Sequence, residues 1–306
     1  MSTSNAGSTN LLTALSDSLA DAVATAAPSV VRVEARRRLG ATGIVWHADG
    51  LIVTADHVVE RDDDITVGLP DGRDVRAHIV GRDPGTDVAV LRVDATGLMA
   101  ATAAPGAARV GHLVLALGRP HGGEPMATLG LVGAVAGPWR TWRGGTVEQV
   151  IRSDVTLYPG FSGGPLIDTE GRLIGMNTSV LSRGLPVTLP HAVLARVVEA
   201  LVARGKVSRG YLGIATQPVV LPAGLRAQLG LAQESGLLIV QVEPGSPAEQ
   251  AGLMLGDIVI AFGGQPTPEP QALQARLEPG SVGTQQPVRV IRGGALADLT
   301  VTVGER

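Results

Sequence analysis

The sequence predicts a mainly β protein, with two successive groups of strands followed by a smaller unit of strands and helices. Short apolar runs are separated by turn residues along most of the chain, which has 41 glycines and 20 prolines in 306 residues. Such runs, bounded by glycine and proline, are typical of β-strands. Aromatic residues make up only 2% of the chain, so its cores must be built from valine, leucine, isoleucine and alanine.

The first predicted element is a helix. From Leu11 to Ala26 apolar residues recur at the spacing of one helix face, and Pro28 ends the helix because proline cannot continue it. We therefore assign residues 1–28 to an N-terminal helical segment.

Two groups of six short apolar runs follow, and each run predicts a strand. Those of the first group, within residues 29–110, are Val30–Val33, Gly43–Trp46, Leu51–Thr54, Ile65–Leu69, Val75–Val80 and Val88–Val93. Those of the second group, within residues 111–190, are Leu113–Leu117, Thr128–Val135, Val147–Ser153, Pro165–Ile167, Leu173–Thr178 and Leu185–Leu189.

A second helix is predicted from His191 to Arg204, where apolar residues again have helical spacing and Gly205 is a suitable stop. Residues 206–306 then form a compact unit. Its predicted strands are Gly236–Val242, Asp257–Phe262, Val288–Arg292 and Leu299–Val303. Its predicted helices are Pro247–Ala251 and Pro270–Leu277.

Composition narrows the partners and cofactors. The net charge of −3 does not favour binding to nucleic acid or to an anionic membrane, so we expect neither as a partner. The chain has no cysteine, and its histidines have no partners at metal-ligand spacing, so we expect no cofactor and no metal. The sequence contains no run of 18 apolar residues, so we expect no membrane insertion. Without an export signal we expect a cytoplasmic location, or the cell envelope if the N-terminus is trimmed.

Three polar residues in distinctive local contexts are candidates for catalysis. Ser162 lies in a glycine-rich turn, His57 ends an apolar strand, and Asp87 precedes another apolar run. A serine hydroxyl needs an adjacent base to act as a nucleophile, and His57 is the candidate base. Asp87 would fix the tautomer of that histidine. The three lie far apart in sequence, so only the fold could bring them together.

These segments resemble the HtrA family of trypsin-like serine proteases. The resemblance extends from about Leu12 to about Val303, and its matching segments are 54–59, 87–91, 160–165, 171–178 and 205–214. It implies a trypsin-like double β-barrel over residues 29–205 and a PDZ domain over 206–306. It also implies an ATP-independent serine endopeptidase for unfolded or misfolded polypeptides, acting in protein quality control. The catalytic residues would be His57, Asp87 and Ser162, with the backbone N–H groups of Gly160 and Ser162 as oxyanion donors.

Phe161 departs from the family pattern, in which asparagine usually precedes the serine. A phenylalanine there could reorient the Gly160 peptide and remove an oxyanion donor. The alternative function is therefore a catalytically impaired peptide-binding or chaperone-like protein on the same scaffold.

The resemblance also implies that the last domain binds peptides, in particular their C-termini. The residues expected to do so are Tyr211, Leu212, Gly213 and Ile214 in the carboxylate loop, with Leu273 and Leu277 on the facing helix. Many relatives form trimers, so a homotrimer is a further expectation, although the N-terminal segment lacks the aromatic residues that help them assemble.

Overall fold

The computed structural model describes residues 10–37, 39–141, 146–182, 185–207, 210–277 and 279–305. Residues 1–9 of the predicted N-terminal segment, and Ser208 and Arg209 of one matching segment, lie outside these ranges. The chain divides into two compact units, Met1–Val207 and Ser208–Arg306.

The first unit begins with a helix and a six-stranded barrel. Helix α1 (Leu11–Ala26) is capped by Asn10, whose side chain accepts a hydrogen bond from the Leu12 amide. A 3₁₀ turn, Ala27–Ser29, leads into a closed barrel of order β1-β2-β3-β6-β5-β4. Its strands are β1 (Val30–Glu34), β2 (Ala41–His47), β3 (Leu51–Ala55), β4 (Ile65–Gly68), β5 (Asp74–Asp83) and β6 (Val88–Val93).

The second barrel uses six of the next eight strands. These eight are β7 (Leu113–Gly118), β8 (Met126–Ala136), β9 (Trp139–Arg140), β10 (Thr146–Val147), β11 (Val150–Ser153), β12 (Pro165–Ile167), β13 (Leu173–Ser182) and β14 (Leu185–Pro190). Strands β9 and β10 pair with each other, and the rest close in the order β11-β14-β13-β12-β7-β8. The two six-stranded barrels confirm the predicted double-barrel fold class.

Helix α2 (His191–Arg204) ends the first unit and shares its largest core. Val193, Leu194, Val198 and Leu201 are buried on one face of the helix, at the predicted spacing. Gly205 follows in the left-handed conformation, with φ of +75°, and its amide bonds to the Leu201 carbonyl. Helix α1 behaves differently, because only Ala22 and Ala26 of its stripe are buried, while Leu11 and Leu12 are exposed.

The second unit is a sheet with short helices. Its strands are β15 (Gly210–Tyr211), β16 (Ile214–Val220), β17 (Ser235–Val242), β18 (Ile258–Phe262), β19 (Gln265–Pro266), β20 (Gln285–Arg292), β21 (Ala295–Thr302) and β22 (Gly304–Glu305). The main order is β16-β17-β18-β20-β21, with β19 on β18, and β15 pairs separately with β22. Helices α3 (Ala223–Leu229), α4 (Pro247–Gln250) and α5 (Pro270–Gln274) and a 3₁₀ turn, Pro279–Ser281, complete the unit.

The structure corrects the predicted end of one helix in this unit. Helix α5 ends at Gln274, so Leu277 lies beyond the helix and not on it. The Leu277 carbonyl instead accepts a hydrogen bond from the Gly210 amide, 2.9 Å away. Strand β16 and helix α3 were not predicted.

The described residues do not meet the requirements of a membrane-spanning helix or of a metal site. Among the helices of the described residues, none has the length and apolar character needed to span a bilayer. Within the same ranges, no three histidine, aspartate or glutamate side chains come together as a metal site.

Candidate active site

The fold brings three candidate side chains to one region from three different turns. His57 lies in a 3₁₀ turn, Asp56–Val58, directly after β3. Asp87 lies in the turn between β5 and β6, and Ser162 in the turn before β12. The first two therefore come from the first barrel and the serine from the second.

His57 and Asp87 form a tightly held pair. The ring atom Nδ1 of His57 lies 2.9 Å from Oδ2 and 3.1 Å from Oδ1 of Asp87. The backbone amide of His57 also donates to Oδ1, at 2.9 Å. The Asp87 side chain is completely buried, whereas that of His57 is 14% exposed. A buried carboxylate on Nδ1 favours the tautomer that carries its proton there, which leaves Nε2 as an acceptor.

A third hydrogen bond comes to Asp87 from the second barrel. The hydroxyl of Thr178, on β13, donates to Asp87 Oδ2. Thr178 is also completely buried, so the carboxylate receives the donors that a charge removed from water requires. Thr178 was expected only as part of a substrate-pocket wall, residues 178–181, and its hydrogen bond to Asp87 was not predicted.

The turn that carries Asp87 is stabilised from within. Asp87 adopts a left-handed conformation, with φ of +57°, which is uncommon for a residue with a side chain. The carboxylate of Asp83 accepts hydrogen bonds from the amides of Gly85 and Thr86 and from the Thr86 hydroxyl. Asp87 itself is fixed through its carbonyl, which accepts from the Asp56 amide at 3.1 Å.

Asp56 is part of the support of His57. It begins the 3₁₀ turn rather than continuing the strand, and it is 3% exposed. Its carboxylate pairs with Arg82 Nε, 2.7 Å away, and Arg82 also donates to the Val59 carbonyl. The carboxylate of Asp56, which precedes His57 in the sequence, is thus held by Arg82 of β5.

The Ser162 loop is held by hydrogen bonds of its own backbone and by Thr42 of β2. The Phe161 amide donates a hydrogen bond of 3.0 Å to the Tyr158 carbonyl and so closes a turn. Within this turn Gly160 has a φ of +89°. The Gly160 carbonyl accepts from the Thr42 hydroxyl at 2.7 Å, and the Ser162 carbonyl accepts from the Thr42 amide at 3.3 Å. Within the described ranges, no hydrogen bond uses the amides of Gly160 and Ser162. These are the two amides expected to act as oxyanion donors.

The side chain of Phe161 is removed from the catalytic region. It is completely buried, and its ring meets Tyr158 edge to face, with ring centroids 5.7 Å apart. A methyl group on Gly118 would overlap the Phe161 ring, so the glycine makes room for the aromatic side chain. Phe161 does not line the cleft that contains Ser162.

Ser162 lies at the surface of a cleft of about 630 Å³, whose lining includes His57, Pro159, Gly160 and Ser179. The Ser162 side chain makes its described hydrogen bond with the hydroxyl of Ser179, 3.1 Å away. Among the described residues, no hydrogen bond joins Ser162 to His57. Ser179 was expected only as part of a substrate-pocket wall, residues 178–181, and its contact with Ser162 was not predicted.

The residues expected to bind peptides in the second unit lie together. Leu212 and Leu273 are buried in one apolar cluster, and Ile214 and Leu277 pack against it. The Tyr211 hydroxyl donates to the Glu243 carboxylate. Gly213 has φ of +80°, and a methyl group there would overlap Ser246. Their role in peptide binding stays a prediction.

Each of the two units matches a known protein family. Residues 41–176 match the family described as a trypsin-like peptidase domain, and residues 210–303 match the PDZ domain. Among curated relatives, a protein of Halomonas elongata named "Probable periplasmic serine endoprotease DegP-like" is 38% identical, over 89% of this chain and 57% of its own length. A protein of the same name in Pseudomonas savastanoi pv. phaseolicola is 36% identical, over 86% and 55%. The chain therefore spans little more than half the length of these relatives.

Solved structures extend the match over almost the whole chain. The HtrA-type protease AlgW with a decapeptide is 30% identical, with a TM-score of 0.72, and the match covers 94% of this chain and 98% of that one. A serine endoprotease from Yersinia pestis is also 30% identical, with a TM-score of 0.73 and the same coverage. These matches confirm the resemblance seen in the sequence. The chain belongs to the HtrA family, with a trypsin-like peptidase domain followed by one PDZ domain.

Proposed function

We propose that the chain is an ATP-independent serine endopeptidase that cleaves unfolded or misfolded polypeptides in protein quality control. The observation that carries this proposal is the pairing of His57 with the buried Asp87 carboxylate beside Ser162 in one cleft. Support also comes from family membership and from relatives named as serine endoproteases. No observation favours the alternative of a catalytically impaired peptide-binding protein.

The proposed reaction follows from these positions. Asp87 holds the Nδ1 proton of His57, so Nε2 can accept the proton of the Ser162 hydroxyl as the oxygen attacks the peptide carbonyl. The negative charge that develops on the carbonyl oxygen is stabilised by the amides of Gly160 and Ser162. His57 then gives the proton to the leaving amine, and water releases the acyl group from Ser162 by the same route.

Hydrolysis of casein tests this proposal. Ser162→Ala should lower the rate by a factor on the order of 10⁶, because the remaining residues cannot replace the nucleophile. Ser153→Ala is the matched control, since Ser153 lies on β11 of the same barrel and does not line the cleft. Equal hydrolysis by the wild type and Ser162→Ala would refute the assignment.

For the PDZ domain we propose binding of peptide C-termini. Gly213 in the left-handed conformation allows close approach of a carboxylate to the backbone of Leu212, Gly213 and Ile214. Strand β16 is the first of its sheet order among the described strands, so a peptide could add beside it, near Leu273 of α5. The similar protease AlgW has been solved with a decapeptide, which supports peptide binding by this family.

Amidation of the peptide tests carboxylate capture. A peptide with an apolar C-terminal residue should bind the chain, and its C-terminal amide should bind at least about tenfold more weakly, because a neutral group loses charge-assisted hydrogen bonds. Unchanged affinity in fluorescence anisotropy would argue against the proposed loop.

For the location we propose the cell envelope. Relatives are named periplasmic proteases, and the expected cytoplasmic location has no support among them. Fractionation of the source cells with an antibody against the chain decides between the two compartments. The expected homotrimer stays a prediction, and light scattering of the purified chain measures it.

A further inference from the structure

Ser179 is the polar neighbour of the proposed nucleophile. Its hydroxyl lies 3.1 Å from that of Ser162, and its side chain lines the same cleft. It follows Thr178 on β13, whose hydroxyl holds Asp87. The buried Thr178 reaches the carboxylate, whereas Ser179 is exposed and faces the cleft.

The hydrogen bond between the two serines competes with the proposed reaction. A hydroxyl has a single proton to donate, and a Ser162 that donates to Ser179 cannot at the same time donate to His57. If Ser179 is the donor, its proton occupies one of the two lone pairs of the Ser162 oxygen and makes that oxygen a weaker nucleophile. In both arrangements the nucleophile is engaged with a group that cannot act as a base at neutral pH.

We propose that Ser179 is a positioning residue that holds the Ser162 hydroxyl in a resting orientation, away from Nε2 of His57. In this resting arrangement Ser162 is the donor, and reaction requires its hydroxyl to exchange the hydrogen bond to Ser179 for one to His57. Ser179 is exposed in the cleft, so a substrate chain that lies along β13 can take over its hydroxyl and release Ser162. This inference rests on the proposed serine endopeptidase function.

Labelling with a fluorophosphonate probe tests the inference, because the probe measures the reactivity of the Ser162 oxygen without a polypeptide substrate. Ser179→Ala and Ser179→Val both remove the hydroxyl and should react about three- to tenfold faster than the wild type, as expected for the loss of one hydrogen bond between neutral groups. Ser179→Thr keeps a hydroxyl and should react at the wild-type rate. Ser153→Ala is again the control.

A second readout separates this role from a structural one. With a short chromogenic peptide, the hydroxyl-free variants should raise kcat, because Ser162 no longer has to leave the Ser179 hydroxyl, whereas loss of a merely structural contact would not raise kcat. If the probe labels the wild type, and labels both hydroxyl-free variants no faster than the wild type, the proposed role of Ser179 is wrong. The proposed endopeptidase function is not affected by that result. Absence of labelling in the wild type and every variant would overturn the proposed function, and this inference with it.

Discussion

At the scale of single residues, the Asp87 carboxylate depends on donors from both barrels. His57 donates from the first barrel and Thr178 from the second, and both bond to Oδ2. Because Asp87 is completely buried, each lost donor leaves its charge less well compensated. Thr178 therefore links the second barrel directly to the orientation of His57.

We predict that Thr178→Val lowers kcat/KM about tenfold and lowers the free energy of unfolding by about 2 kcal/mol, because a buried carboxylate loses one hydrogen bond while the shape is kept. Kinetics with a chromogenic peptide and urea unfolding measure the two effects. Thr188→Val is the matched control. Its hydroxyl bonds to Asn177 Oδ1 at 2.7 Å in the same barrel, and it does not contact Asp87. A similar loss of kcat/KM in both variants would contradict the specific role of Thr178.

Phe161 shows how a departure from the family pattern is accommodated by one glycine. The ring lies where a side chain of residue 118 would be, so Phe161 and Gly118 are coupled by volume. Its complete burial keeps the ring out of the cleft and places it in the core with Val114, Leu166 and other residues of the second barrel.

We predict that Gly118→Ala lowers the free energy of unfolding by about 2–3 kcal/mol, because the added methyl group overlaps the Phe161 ring in a closely packed core. In a Phe161→Leu background the same change should cost less, since the smaller side chain leaves room. Urea unfolding of the two single variants and the double variant gives the coupling energy. An equal cost in both backgrounds would show that the overlap is relieved elsewhere.

At the scale of elements, helix α2 begins at a histidine that is stacked on the first barrel. The ring of His191 lies nearly parallel to that of Trp46, with centroids 4.9 Å apart and planes at 18°. Burial lowers the pKa of His191 below its usual value of 6.5, because a charged imidazolium is poorly solvated there. The start of α2 is therefore sensitive to pH.

We predict that the free energy of unfolding decreases as the pH falls below about 6.5. The unfolded chain then binds a proton at residue 191 more readily than the folded chain, so protonation favours unfolding until the pH falls below the lowered pKa of the folded state. His191→Phe keeps the stacking and should remove this part of the pH dependence. Urea unfolding between about pH 5 and pH 7.5 measures it. The wild-type slope in His191→Phe would contradict the prediction.

At the scale of the whole molecule, each unit has apolar cores of its own. The largest core of the first unit extends from Val31 to Leu201, and that of the second from Leu212 to Val303. Neither cluster includes residues of the other unit. The domain boundaries expected from the sequence, 29–205 and 206–306, stay a prediction.

We predict that residues 208–306 fold when expressed alone, with a single cooperative thermal transition, because a complete core and sheet lie within this segment. Circular dichroism and calorimetry measure the transition. In the full chain the same transition should recur within a few degrees. A disordered fragment would show that the second unit depends on the first.

Short-range patterns predicted much of the fold, and the ordered set of motifs that resembles the HtrA family predicted the three proposed catalytic residues. Short apolar runs between turn residues located twelve barrel strands, and apolar residues at helical spacing located helices α1 and α2, because both patterns are local properties of the sequence. Glycine and proline located the turns around Gly160 and Gly205. The three proposed catalytic residues could also be selected from local context, because each lies beside a characteristic motif.

Contacts between distant segments emerged only in the folded chain. The closure of two barrels pairs His57 with Asp87, adds Thr178 from the second barrel, and engages Ser162 with Ser179. Three-dimensional packing also makes Gly118 accommodate Phe161, ends α5 before Leu277, and leaves Leu11 and Leu12 exposed. A local pattern indicates the direction and polarity of a side chain, but its partner is fixed only when the chain closes over tens of residues, and that is why the sequence could not specify these contacts.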